Sequence, residues 1–259
     1  MGPVFTLAHV EALRAGRIEL SPEEVEYVTA LYDGDIASAD RHVGLLLDTL
    51  DELGLDERVA VIVTSDHGED LGARYPRNRF DHGHALLDDQ VRVPLILRDP
   101  TRRFRLRVVE PQVRLFDVLP TVAELLDVPL ATEHDGCSLV PLLEGRDTSE
   151  RIAVLGNTKA GPLRIGVRAL GIKYTRTVEG AISDQPLLPE PPARELYELG
   201  SDPGEEHNLA GDRPEALEAF ERLMLERLPR AGGKPVAPEL PEDADPELLE
   251  RLRSLGYVL

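Results

Sequence analysis

"RVAVIVTSDHGEDLGARYPRNRFDHGHALL", residues 58–87, sets a short apolar run rich in β-branched residues directly before a cluster of titratable groups. So short a continuous apolar run, bounded by turn residues, reads as a strand covered on both faces, as in a parallel sheet. Three of the chain's seven histidines, His67, His82 and His84, follow it, with Asp66, Glu69, Asp70 and Asp81 among them. Neighbouring strand residues point to opposite faces, so Asp66 and His67 can serve one site only where the strand has ended. Gly68 permits that bend.

Working outward, "SPEE" at residues 21–24 announces a helix. Ser21 can cap it, Pro22 suits its first position and Glu24 can reach back to close a capping box. Apolar residues at Val28, Tyr32, Ile36, Ala39, Val43, Leu46, Leu50 and Leu53 recur every three or four positions, and Gly54 stands where a terminating glycine belongs. A long amphipathic helix over 22–53 is expected. A helix leading into a buried strand implies an α/β layered fold, and in such sheets ligands gather beyond the strands' carboxyl ends, where Asp66 and His67 fall. "VRVPLIL" (91–97) is the expected neighbouring strand and "VRLFDVLPTVAELLDV" (113–128) a helix returning over the sheet. After residue 150 the pattern changes. Four short, partly alternating runs separated by turn residues predict a small antiparallel sheet, and residues 212–228 a helix lying on it. Residues 229–246, rich in Pro, Gly and acid, read as a linker, and Asp245 and Pro246 open a last short helix.

Composition narrows the function classes. With 48 acidic and 29 basic residues among 259, the net charge of -19 repels phosphate backbones and anionic lipid, which argues against nucleic acid as a partner. No window approaches the roughly 20 apolar residues of a membrane span, and the first residues lack a signal-peptide pattern. The chain reads as soluble, its compartment open. A single cysteine, Cys137, excludes an internal disulfide framework and a cysteine-built zinc site.

A carboxylate beside an imidazole is half of a divalent metal site, with Glu69 or Asp70 available behind it. Standing alone, Ser-Asp-His-Gly reads first as a turn with a helix cap. "FDHGHALLDD" shifts that balance, because His82 and His84 lie within a loop's reach of Asp66 and imidazole is a common transition-metal ligand.

Seven segments now carry a resemblance: "TSDHGEDLG", "HGHALLDDQVRVPLIL", "LFDVLPTVAELLDVP", "DGCSLVPLLEG", "KYTRT", "ELYELGSDPGEEHNLA" and "LRSLGYVL". In that order they look like the C-terminal half of a sulfatase of the alkaline phosphatase superfamily. The resemblance implies a layered α/β sheet with helices, residues 1–149 belonging to the catalytic domain and 150–259 forming a small α+β subdomain. It implies metal-dependent hydrolysis of a sulfuric ester, with Asp66 and His67 as ligands of one divalent ion. Histidine at the second ligand position is similar to the phosphonate monoester hydrolase branch, so calcium, manganese and zinc all stay open. It also implies that His82, with His84 as second choice, contacts the transferred sulfate or phosphate. Arg92 is expected in a structural ion pair, and Cys137 stands in a segment that packs. The family's nucleophilic cysteine lies instead in a C-x-P-S-R motif, which this sequence does not contain.

Two other metal carboxylates of the family and its H-x-P-[YF] strand are likewise not in the sequence, so a missing N-terminal half is the expected partner. Rival readings are a phosphodiesterase, phosphonate hydrolase or phosphoethanolamine transferase of the same superfamily, and a non-catalytic remnant kept as a binding module.

Overall fold

A computed structural model of the chain describes residues 5–71, 74–76, 80–101, 103–104, 108–131, 133–156, 161–182 and 190–228. The expected linker over 229–246 and the last short helix lie outside them. Helix α1 (Leu7–Arg14), which the apolar spacing did not announce, is capped by Thr6 and buries Val10 and Leu13. Helix α2 (Pro22–Glu52) begins as expected: the Ser21 hydroxyl accepts from the Glu24 N–H at 3.2 Å and Glu24 Oε2 accepts from the Ser21 N–H at 2.9 Å. It ends where Gly54 turns to a φ of +64°, a conformation that glycine adopts without strain.

Strand β1 (Val61–Thr64) pairs with β2 (Leu95–Arg98), but antiparallel, with Val61 opposite Arg98 and Thr64 opposite Leu95. The expected parallel, doubly covered strand is corrected on both counts, since neither strand is fully buried. The physical reason lies in the connection. A parallel pair needs a crossover that carries the chain back along the sheet. Here the segment between the strands leaves and re-enters at one end, where the Thr64 hydroxyl donates to the Pro94 carbonyl at 2.8 Å. All three histidines of interest therefore ride on one lobe, bounded by Thr64 and Leu95, that also holds the short helix α3 (Asp88–Val91).

Beyond β2, a 3₁₀ turn at Leu115–Asp117 runs into α4 (Val118–Leu125), and α5 (Val140–Leu143) follows. Asp117 is fully buried and ties this region together, accepting from Arg114 Nη2 and from the Cys137 N–H, each at 2.8 Å. The Cys137 thiol itself is exposed, so the expected packing role belongs to its segment, through Leu139, Val140 and Leu142, and not to its sulfur.

The C-terminal part builds a four-stranded antiparallel sheet in sequence order: β3 (Ala153–Gly156), β4 (Pro162–Ala169), β5 (Ile172–Ile182) and β6 (Arg194–Glu198). Helix α6 (Pro214–Arg227) buries Leu217, Phe220 and Met224 and contacts β4 and β5. An apolar cluster and a buried lysine are among the contacts that fasten the histidine lobe to this sheet. Tyr75, Ala85 and Leu87 pack with Tyr197 of β6 in one apolar cluster. Lys173 of β5, fully buried, sets its ammonium 2.5 Å from Asp88 and 2.8 Å from Glu205.

Candidate metal and substrate site

Past Thr64 the chain leaves the sheet and turns at once. The Ser65 hydroxyl donates to the His67 carbonyl at 2.7 Å, and the Gly68 N–H donates to the Gln90 carbonyl at 2.9 Å. Gly68 is required by proximity: a Cβ there would lie 2.0 Å from the Asp89 carbonyl oxygen. Gly68→Ala is therefore expected to push this turn off α3 and to destabilise the chain by about 1–3 kcal/mol, as overpacking does, with urea denaturation as the measurement. On the far side of the lobe, the Asp70 N–H donates to the Asp81 carbonyl at 3.1 Å and the Phe80 N–H to the Asp70 carbonyl at 2.7 Å. Arg14 of α1 forms an ion pair with Asp81. These bonds bring the His67 and His82 turns face to face.

The two imidazoles stack, with ring centroids 3.6 Å apart and planes 22° from parallel. His67 Nδ1 lies 2.9 Å from the Gly68 carbonyl, and His82 Nδ1 3.3 Å from Glu69 Oε2. A carbonyl or a carboxylate only accepts, so in the neutral rings both Nδ1 atoms carry the proton and both Nε2 atoms present a lone pair. Ligand atoms of His67, Glu69 and His82 all lie within 4.8 Å of one another. Glu69 Oε1 is buried with no hydrogen-bond partner among the described residues, the state of a carboxylate oxygen that a cation would satisfy. The donor set fits a divalent ion. Two imidazoles and one carboxylate suit zinc or manganese, whereas calcium takes oxygen ligands.

Asp66 is more exposed, and its Oδ1 stands 3.7 Å from His67 Nε2, bordering the nitrogen that presents its lone pair. His84 is placed differently from His82. It is fully buried, with Nε2 2.8 Å from Asp70 Oδ2 and its ring edge-on to Tyr75 at 5.7 Å. The structure thus brings together His67, His82 and Asp66, adds Glu69 as a direct neighbour, and keeps His84 away from the surface. Arg92 is exposed at the end of α3.

A layered α/β chain with imidazole and carboxylate groups gathered beyond a strand end defines a class. The sulfatase family model matches residues 12–128, and over that stretch the chain has a sulfatase-family domain. It is 27% identical over 210 residues to arylsulfatase K of Xenopus laevis, which covers 78% of this chain and 37% of that protein. It is 30% identical over 203 residues to an ulvan-active sulfatase of Formosa agariphila, covering 75% of this chain and 36% of that protein. Among solved structures it is similar to the phosphonate monoester hydrolase of Agrobacterium radiobacter, with a TM-score of 0.63 and 25% identity over 80% of this chain and 42% of the other. The chain spans a little over a third of the length of the curated relatives it matches. Among the described residues, no helix is long and apolar enough to cross a membrane.

Proposed function

We propose that this chain supplies the metal-facing and anion-facing part of a sulfuric ester hydrolase, the observation that carries it being the stacked His67–His82 pair with Glu69 beside it. His67 and Glu69, with Asp66 at the rim, hold one divalent cation of the zinc or manganese kind. A bound ion of this type polarises the non-bridging oxygens of the ester. His82 faces the same opening and, in its doubly protonated form, donates from Nε2 to an oxygen of the sulfuryl group while its Nδ1–H stays on Glu69; His84 holds the lobe in shape through Asp70. The nucleophile comes from polypeptide other than these residues, which makes an N-terminal portion of the family fold the expected partner. Residues 1–149 are read as part of the catalytic domain and 150–259 as its accessory subdomain.

Similarity to the phosphonate monoester hydrolase favours a second reading, a phosphate or phosphonate ester as substrate. Tetrahedral sulfuryl and phosphoryl oxygens ask the same of His82 and the cation. The residue acting as nucleophile separates the two readings.

Calorimetric titration with zinc and manganese chlorides checks the site. Zinc is expected to bind more tightly than calcium, and acidification to weaken it, because a ligating imidazole must be neutral. Asp66→Ala and Glu69→Gln each lower zinc affinity about 10–100-fold. Zinc binding that survives His67→Ala unchanged removes the site.

A further inference from the structure

The sequence reading attached no role to Gln90, yet it lies between the two histidine turns and touches both. It is 4% exposed, in α3 within the lobe. Its backbone carbonyl accepts from the Gly68 N–H at 2.9 Å, which fixes the turn carrying His67. Its side-chain Oε1 accepts from the Gly83 N–H at 3.0 Å, with the His84 and Ala85 N–H groups at 3.4 Å, which fixes the turn carrying His82. Three backbone donors converge on one atom, so that atom is the amide oxygen, and Nε2 is left facing the His84 ring at 3.2 Å.

We propose that Gln90 is a positioning residue that clamps the Gly68 and Gly83 turns together, and so sets the spacing between His67, a ligand of the cation, and His82, which orients the ligand Glu69 and meets the ester. This rests on the reading of His67 as metal ligand and His82 as the anion-facing group beside it. Its geometric part stands without any metal. Water does not easily replace the amide, because Gln90 is buried and the His84 ring against its side chain is fully buried too. The clamp is itself held from behind. In α3, two residues upstream, the Asp88 N–H donates to Glu205 Oε2 at 2.6 Å, and the Asp88 carboxylate pairs with Lys173 and, at 3.0 Å, with Arg168. Side-chain and main-chain contacts of Gln90 thus transmit the position of the C-terminal sheet to the histidine pair.

The test replaces Gln90 by methionine, of similar length without an acceptor. In the metal-free chain, Q90M is expected to raise hydrogen exchange at Gly83 at least about tenfold and leave Gly68 exchange nearly unchanged, because only the side-chain bond is lost. The nuclear Overhauser contact between the His67 and His82 rings weakens. Zinc affinity falls about 10–100-fold, the range seen when a group that orients metal ligands is removed. If Q90M does not fold, Q90N, one methylene short of Gly83, carries the same readouts. Unchanged Gly83 exchange or an unchanged ring contact overturns the clamp. Altered exchange with unchanged zinc affinity overturns its role in positioning the ligands. A parent chain that binds no zinc while its ring contact is lost in Q90M overturns the metal reading and leaves the clamp standing.

Discussion

Lys173→Met lowers the stability of the chain by about 3–5 kcal/mol, the usual consequence of removing one partner from a buried ion pair. The methionine fills nearly the same space, so the loss is one of charge. The ammonium is wholly buried between Asp88 and Glu205, and of these two carboxylates Arg168 pairs with Asp88. Burial works to raise the Asp88 carboxyl, and the charge and hydrogen bonds of Lys173, with those of Arg168, outweigh it, holding the group below the ordinary carboxylate range. For Glu205 burial wins over the pull of Lys173, and its carboxyl is raised. Without Lys173 both carboxylates face each other in a poorly solvated place and both tend to be raised above their unfolded values. A carboxyl raised in the folded state binds protons that the unfolded chain has released, so stability is lost as pH rises. The defect is therefore larger at pH 8 than at pH 5. Urea denaturation of parent and variant at both values measures it, and a loss under about 1 kcal/mol at pH 8 would show the cluster to be solvated.

Elements whose signals are local were legible in the sequence. The cap of α2 at Ser21 and its glycine stop at Gly54 depend on neighbours three or four residues apart, and both are where the pattern puts them. The four strands after residue 150 are likewise marked by turn residues on both sides. Direction of pairing was not legible. A short apolar run is the same string whether its partner runs with it or against it, and the decision rests on where the lobe from Ser65 to Pro94 returns. Site residues divide in the same way. The histidines and Asp66 are visible as rare chemistry close in sequence. Glu69 was read only as a group behind the ligands, because nothing local says that its carboxylate folds toward His82. Gln90 carries no signal at all, since its role lies in a contact with Gly83 that only the closed lobe creates. Lys173 had one available hint, as one of three lysines in a chain that otherwise uses arginine.

On the proposed reading, the chain alone turns over no aryl sulfate or aryl phosphonate ester, and a separately expressed N-terminal sulfatase segment carrying the nucleophile restores turnover. Strand β1 pairs on one side only among the described residues, and Ile96, Leu119 and Leu126 are 60%, 54% and 63% exposed, so apolar surface is available for further family strands and helices. In the restored enzyme His67→Ala should lower kcat/KM by about 10²–10³, the scale on which one group stabilising charge in the transition state contributes. His82→Ala should act on kcat more than on KM, because a donor to the sulfuryl oxygens gains strength as negative charge develops. Cys137→Ser should match the parent, since the residue is exposed and its engagement among the described residues is through the backbone N–H, with Asp117. The buried His84 offers a contrast. His84→Asn loses the Asp70 contact inside the lobe, so its effect should appear in thermal stability together with kcat/KM, whereas His82→Ala should leave the melting temperature within a few degrees of the parent. Hydrolysis by the lone chain that disappears in Cys137→Ser would overturn this assignment, because it would make the exposed thiol the nucleophile and leave His67 and His82 without the part given to them here.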